Sequence, residues 1–193
     1  MNRLQSPEAG AQPRRDHRLR LSAVLAVGFA CTLACTTAVA ANDNGCQPVF
    51  DAMSKMFSTP THIYMTETAE FHPGKTTAHE VIYAGGSIYN NMQGKWIRSS
   101  MTVQQMMDQE RENRKEATYT CRSIGEEMVN GQPASKYASH SETEDVKSDS
   151  QIWISRRSGL PLRLELDSDV GGSLGKSHRS MRYEYSNVQP PAM

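Results

Sequence analysis

From residue 47 onward the hydrophobic positions change period several times, and each change marks an element. Val49, Phe50, Met53, Met56 and Phe57 recur at helical spacing and draw one apolar stripe over residues 47–57. Pro48 suits a first helical turn, and Ser58-Thr59-Pro60 ends the segment. The period then drops to two. Ile63, Met65, Glu67, Ala69 and Phe71 mark alternate positions of a long half-buried strand, which breaks at His72-Pro73-Gly74. Residues 79–83 form a second strand, stopped by Gly85-Gly86. Residues 87–90 and 95–98 read as short strands around a turn. Val103, Met106, Met107 and Glu110 restore helical spacing over 101–115, and that segment runs out in a charged stretch.

Strands resume at residue 117. Segments 117–128 and 132–141 meet across Asn130-Gly131, a two-residue hairpin signal. Segments 151–155 and 160–167 meet across Arg156-Arg157-Ser158-Gly159, and 178–186 is the last strand, with Tyr183 and Tyr185 on one face. Leu162, Leu164 and Leu166 alternate with Arg163, Glu165 and Asp167, which predicts one dry and one wet face. The tally is eight or nine antiparallel strands and one or two helices, with no βαβ rhythm. The expected fold is mainly β (α+β): a curved antiparallel sheet forming an unclosed half-barrel, with one or two helices on the concave side. The mouth of such a sheet is a common place for an apolar ligand.

Composition changes this picture at one point. Lysine plus arginine and aspartate plus glutamate number 21 each over 193 residues. The balance excludes a dedicated nucleic-acid binder, which needs a basic excess. It is, however, an average over two unlike segments. Residues 1–20 carry five arginines, residues 21–40 carry no charge, and the run closes on Ala38-Val39-Ala40. A positive start, a short apolar stretch and small residues at the cut describe a secretory signal peptide over 1–40. The remaining 41–193 is then a single domain of 153 residues with 16 basic and 19 acidic side chains, net −3. Periplasmic location follows. The alternative is lipidation at Cys35, in a Leu33-Ala34-Cys35 context.

Cys31 and Cys35 leave with the signal, so Cys46 and Cys121 remain, and two cysteines in an exported chain most simply form one disulfide. No nucleophile motif and no phosphate-binding loop is present, so no catalytic residue is assigned. The histidines 62, 72, 79, 140 and 178 match no zinc spacing, and neither a metal nor a cofactor is expected. The methionines are more suggestive, with ten after residue 40. Methionine is flexible and polarizable, and a cavity built from it tolerates varied apolar shapes. Phe50, Met53, Met56 and Phe57 of the first helix, with Met106 and Met107 of the second, are the candidate lining of a ligand cavity.

Four stretches carry a resemblance. They are Gly94-Lys95-Trp96, the hairpin from Gly125 through Asn130-Gly131 to Tyr137, Ile152-Trp153-Ile154-Ser155 with Gly159-Leu160-Pro161-Leu162-Arg163, and the closing Tyr185-Ser186-Asn187-Val188. Their order over most of residues 46–191 resembles the LolA-like superfamily of periplasmic lipoprotein carriers and their relatives. The resemblance implies an unclosed barrel capped by helices, with acyl chains held in an apolar cavity. The expected function is therefore non-catalytic binding of a lipid, another apolar small molecule or the acyl chain of a lipoprotein. Transient membrane contact and a monomeric state are also expected. The alternative is a cell-envelope interaction or sensor module that uses the same scaffold to meet an envelope protein, without a ligand.

Overall fold

The structure, a computed structural model, describes residues 45–193 apart from Ser173. The expected signal segment 1–40, with Cys31 and Cys35, lies outside the described residues. Two helices and nine strands follow in the order α1 Gln47–Phe57, β1 Thr61–Ala69, β2 Thr76–Ala84, β3 Ser87–Met92, β4 Lys95–Thr102, α2 Val103–Glu116, β5 Thr118–Val129, β6 Gln132–Glu142, β7 Lys147–Ser155, β8 Pro161–Asp169 and β9 Lys176–Glu184. All strand pairs are antiparallel and form one sheet in the order β4-β3-β2-β1-β9-β8-β7-β6-β5. β4 and β5 are its two unpaired edges, so the sheet is unclosed, as the sequence pattern predicts.

Each helix begins in its own way. Cys46 is the N-cap of α1 but caps nothing with its side chain. Its sulfur is bonded instead to Cys121 of β5, 75 residues away, with the two Cα atoms 4.8 Å apart. Closing a loop of that size removes about 4 kcal/mol of unfolded-chain entropy on the chain-entropy argument. α2 starts with a capping box. The Thr102 hydroxyl accepts from the Gln105 N–H, and the Gln105 side chain accepts from the Thr102 N–H. Such a cap contributes about 1 kcal/mol. Beyond it, Val103 is the one fully buried residue of α2.

The turns follow residue chemistry. Asn130 and Gly131 both have positive φ, 50° and 78°, the geometry of a two-residue primed turn between β5 and β6. Strand ends differ from the sequence expectation where apolar alternation is missing. β7 begins at Lys147 rather than 151 because Lys147, Ser148, Asp149 and Ser150 are held by ladder pairing with β6 and β8.

The register assigns every side chain to a face. One face carries Ile63, Val81, Tyr83, Tyr183, Leu164 and Ile152, and α1 and α2 pack on it. Met56, Phe57, Ile63, Tyr83, Ile88, Val103, Leu160 and Tyr183 make its main core. The other face has two smaller clusters. Ile82, Ala84 and Tyr89 are covered by Trp96 and by Val188 of the C-terminal tail. Ala134, Trp153 and Leu162 pack with Val129. The three leucines of β8 therefore do not share one face. A register shift at Trp153 and Ile154 sends Leu162 to the cluster with Trp153, whereas Leu164 joins the helix-bearing side. A bulge adds one residue and so reverses the alternation beyond it.

Candidate functional site

The helix-bearing face is apolar under the helices and polar beyond them. α1 buries Val49, Met56 and Phe57 of the expected stripe together with Ala52, while Phe50 and Met53 are half-buried. Met53 packs against both helix-side clusters, and Met106 and Met107 of α2 lie half-buried against the main core with Met181 of β9. Five of the six candidate residues thus converge between helices and sheet. Phe50 stands apart on the flank. Tyr119 meets its ring edge-on at a centroid distance of 5.3 Å, and the Arg114 guanidinium lies 4.5 Å over it. Between α1 and α2 a cleft of about 50 Å³ is lined by Ser54, Phe57, Met107, Glu110, Arg111 and Arg114. Met56 is buried in this interior, and Met53, Met106, Met107 and Met181 pack partly buried around it.

Two tyrosines end inside this interior. Tyr83 is 8% exposed and Tyr183 5%. The Tyr83 hydroxyl donates to Sδ of Met106 at 3.4 Å, and the Tyr183 hydroxyl to Sδ of Met181 at 3.5 Å. A thioether is a weak acceptor, so two strong donors are met by poor partners. Burial pushes the Tyr83 phenol up to about 12, with a smaller contribution from Glu110. Burial also raises Tyr183, with the neighbouring Tyr83 adding to it. Tyr185, raised by burial as well, donates to the Pro161 carbonyl at 2.5 Å. The sequence marks the phenols of β9 through their alternation, but nothing in it reports that Tyr83 and Tyr183 meet sulfur.

Farther along the same face the register brings small polar residues together. Ser139 and Ser150 hydroxyls are 2.6 Å apart, and Ser148 and Ser168 3.1 Å apart. In the same zone the Arg179 Nε donates to Glu67 Oε1 at 2.9 Å.

The opposite face holds a row that only register reveals. His178 of β9, Asp167 of β8, Asp149 of β7 and His140 of β6 are successive cross-strand neighbours. His178 Nδ1 lies 2.8 Å from Asp167 Oδ1, and His140 Nδ1 lies 2.9 Å from Asp149 Oδ1. Each imidazole also faces a second carboxylate, His178 Nε2 lying 3.2 Å from Glu165 Oε2 and His140 Nε2 3.8 Å from Glu142 Oε2, yet among the described residues no group of three His, Cys, Asp or Glu side chains is placed to hold a metal ion. His62 pairs with Glu80 at 2.9 Å, while His79 sits opposite Met65 on the helix-bearing face, away from His72 in the β1–β2 turn. Among the described residues no helix is long and apolar enough to cross a membrane.

An unclosed, curved antiparallel sheet with two helices over an apolar, methionine-rich half of one face defines the class of this chain by architecture. Solved structures similar to it include LprF from Mycobacterium bovis, at 10% identity over 77% of this chain and 96% of that one, with a TM-score of 0.46. MucB in complex with MucA(peri) is similar at 14% identity over 77% of this chain and 60% of that one, with a TM-score of 0.42. A LolA superfamily protein from Nitrosomonas europaea is similar at 9% identity over 70% and 90%, with a TM-score of 0.23. No family model matches the chain, and no curated protein matches it by sequence.

Proposed function

We propose that this chain is an exported protein of the cell envelope that binds a lipid or other apolar molecule between its helices and its sheet, without catalysis. The observation that carries this reading is the interior at Tyr83 and Tyr183, where two deeply buried hydroxyls are given only methionine sulfur to bond. An apolar ligand with an oxygen acceptor offers both a better partner, and methionines can re-pack around it at little cost. The weakly buried α2 is the element that yields. The polar zone of Glu67, Arg179 and the paired serines takes the ligand's solvated end.

The test is native mass spectrometry of the chain purified from the envelope, followed by uptake of the apolar fluorophore N-phenyl-1-naphthylamine. The expected results are a bound lipid adduct and saturable, blue-shifted fluorescence. A chain that carries no adduct and takes up no fluorophore overturns the reading.

A further inference from the structure

We propose that the paired tips of the β1–β2 and β8–β9 hairpins form a docking surface for a phospholipid bilayer, separate from the interior discussed above. Phe71 lies in the first tip, at 49% exposed, and Val170 and Leu174 lie in the second, at 40% and 54%. All three stand beyond the last ladder pairs of their hairpins, Thr68 with Thr76 and Asp169 with Lys176. The core of the helix-bearing face, around Ile63, Tyr83, Leu160 and Tyr183, sits toward the other ends of these strands. These apolar side chains therefore contribute nothing to the packing of the sheet.

The two tips are built as a unit. β1 and β9 are neighbours. The Glu70 N–H donates to the Lys176 carbonyl at 2.9 Å, and the Lys176 N–H donates to Glu70 Oε2 at 3.0 Å. Gly175 passes so close that a Cβ there would lie 2.5 Å from that same carboxylate oxygen. Any other residue would displace that carboxylate and would also be strained at the φ of 58° that Gly175 adopts.

The charges point to the occupant. The acids of these two tips are turned inward, Glu70 onto the Lys176 amide and Asp169 onto the Gly171 amide at 3.0 Å. Lys75 and Lys176, by contrast, have no ion-pair partner among the described residues. Apolar side chains at the apex with unpaired ammonium groups behind them match a layer of acyl chains beneath a layer of phosphates. A protruding pair of loops also suits a soft planar phase, which needs no matching groove. The next tip along the sheet, residues 143–146, carries Glu144 and Asp145, so entry is confined to the first two.

The experiment is flotation of the chain with vesicles of phosphatidylethanolamine and phosphatidylglycerol. The wild-type chain is expected to float with the vesicles. F71S/L174S should lower the bound fraction about tenfold, as loss of two buried apolar side chains implies. K75A/K176A should weaken binding and flatten its salt dependence. M128S, at an exposed methionine on β5, should bind like wild type. A wild-type chain that stays in solution, or an F71S/L174S chain of unchanged melting temperature that floats like wild type, overturns the proposal. Neither result bears on ligand uptake between helices and sheet, which the fluorophore reads separately.

Discussion

The indole Nε1 of Trp153 on β7 donates to Oε2 of Glu127 on β5 at 2.7 Å, reaching across the intervening strand. The residue it crosses is Ala134 of β6, opposite Glu127 in register and fully buried. The Lys136 ammonium and the Arg163 guanidinium lie over the ring at 4.4 and 4.7 Å. A small side chain at 134 is thus the condition for a bond that ties an edge strand to the second strand inward. Replacement A134L should overpack this site and cost about 2–3 kcal/mol. W153F, which removes the donor and also part of a buried ring system, should cost about 2–3 kcal/mol. Urea unfolding of both variants measures this. An A134L chain as stable as wild type would show that the indole does not need the space.

The buried phenols make stability fall at alkaline pH. An unfolded tyrosine titrates near 10, whereas Tyr83 in the fold is pushed up to about 12 by burial and then by Glu110. The folded state therefore holds its proton where the unfolded state has lost it. The contribution of Tyr83 is complete below about pH 10 and declines as pH rises toward 12, by about 2–3 kcal/mol at most. Tyr183 and Tyr185 are raised by burial as well and act in the same direction. Unfolding free energies should hold level up to about pH 10 and decline above it toward about pH 12, and Y83F should make the decline shallower. An identical profile in Y83F would exclude Tyr83 as a contributor.

α2 is held at its start and little elsewhere. T102A removes the side-chain half of its capping box and should cost about 1 kcal/mol. Because so much of the helix is exposed, the effect should be local: hydrogen exchange of the α2 amides should speed up about fivefold while β1 and β9 stay unchanged. Equal acceleration in α2 and in the sheet would mean that the helix opens only with the whole domain.

Local chemistry made much of this fold legible. The helical stripe from Val49 to Phe57, the breaks at His72-Pro73-Gly74 and Gly85-Gly86, and the Asn130-Gly131 turn each act within a few residues, and each lies where the pattern places it. What escaped depends on neighbours distant in sequence. The side taken by Leu162 is decided by a bulge opposite Trp153. The serine pairs and the His178–Asp167–Asp149–His140 row exist only once strands are in register. The methionines near the candidate site were readable as a periodic set. The meeting of Tyr83 with Met106 was not, because it joins β2 to α2 at an angle that no spacing encodes.

The bond between Cys46 and Cys121 also fixes an order of events. In a chain delivered N-terminus first, Cys46 emerges as a lone thiol and must wait for 75 further residues before its partner arrives. Throughout that interval α1 lacks its cystine anchor; Met56 and Phe57 can already meet Ile63, Tyr83 and Ile88 of β1 to β3, but Val49 and Ala52 still wait for Ile152 and Ile154 of β7. The closing of this single bond ties the first helix to one edge of the sheet before the four strands that complete that sheet have followed.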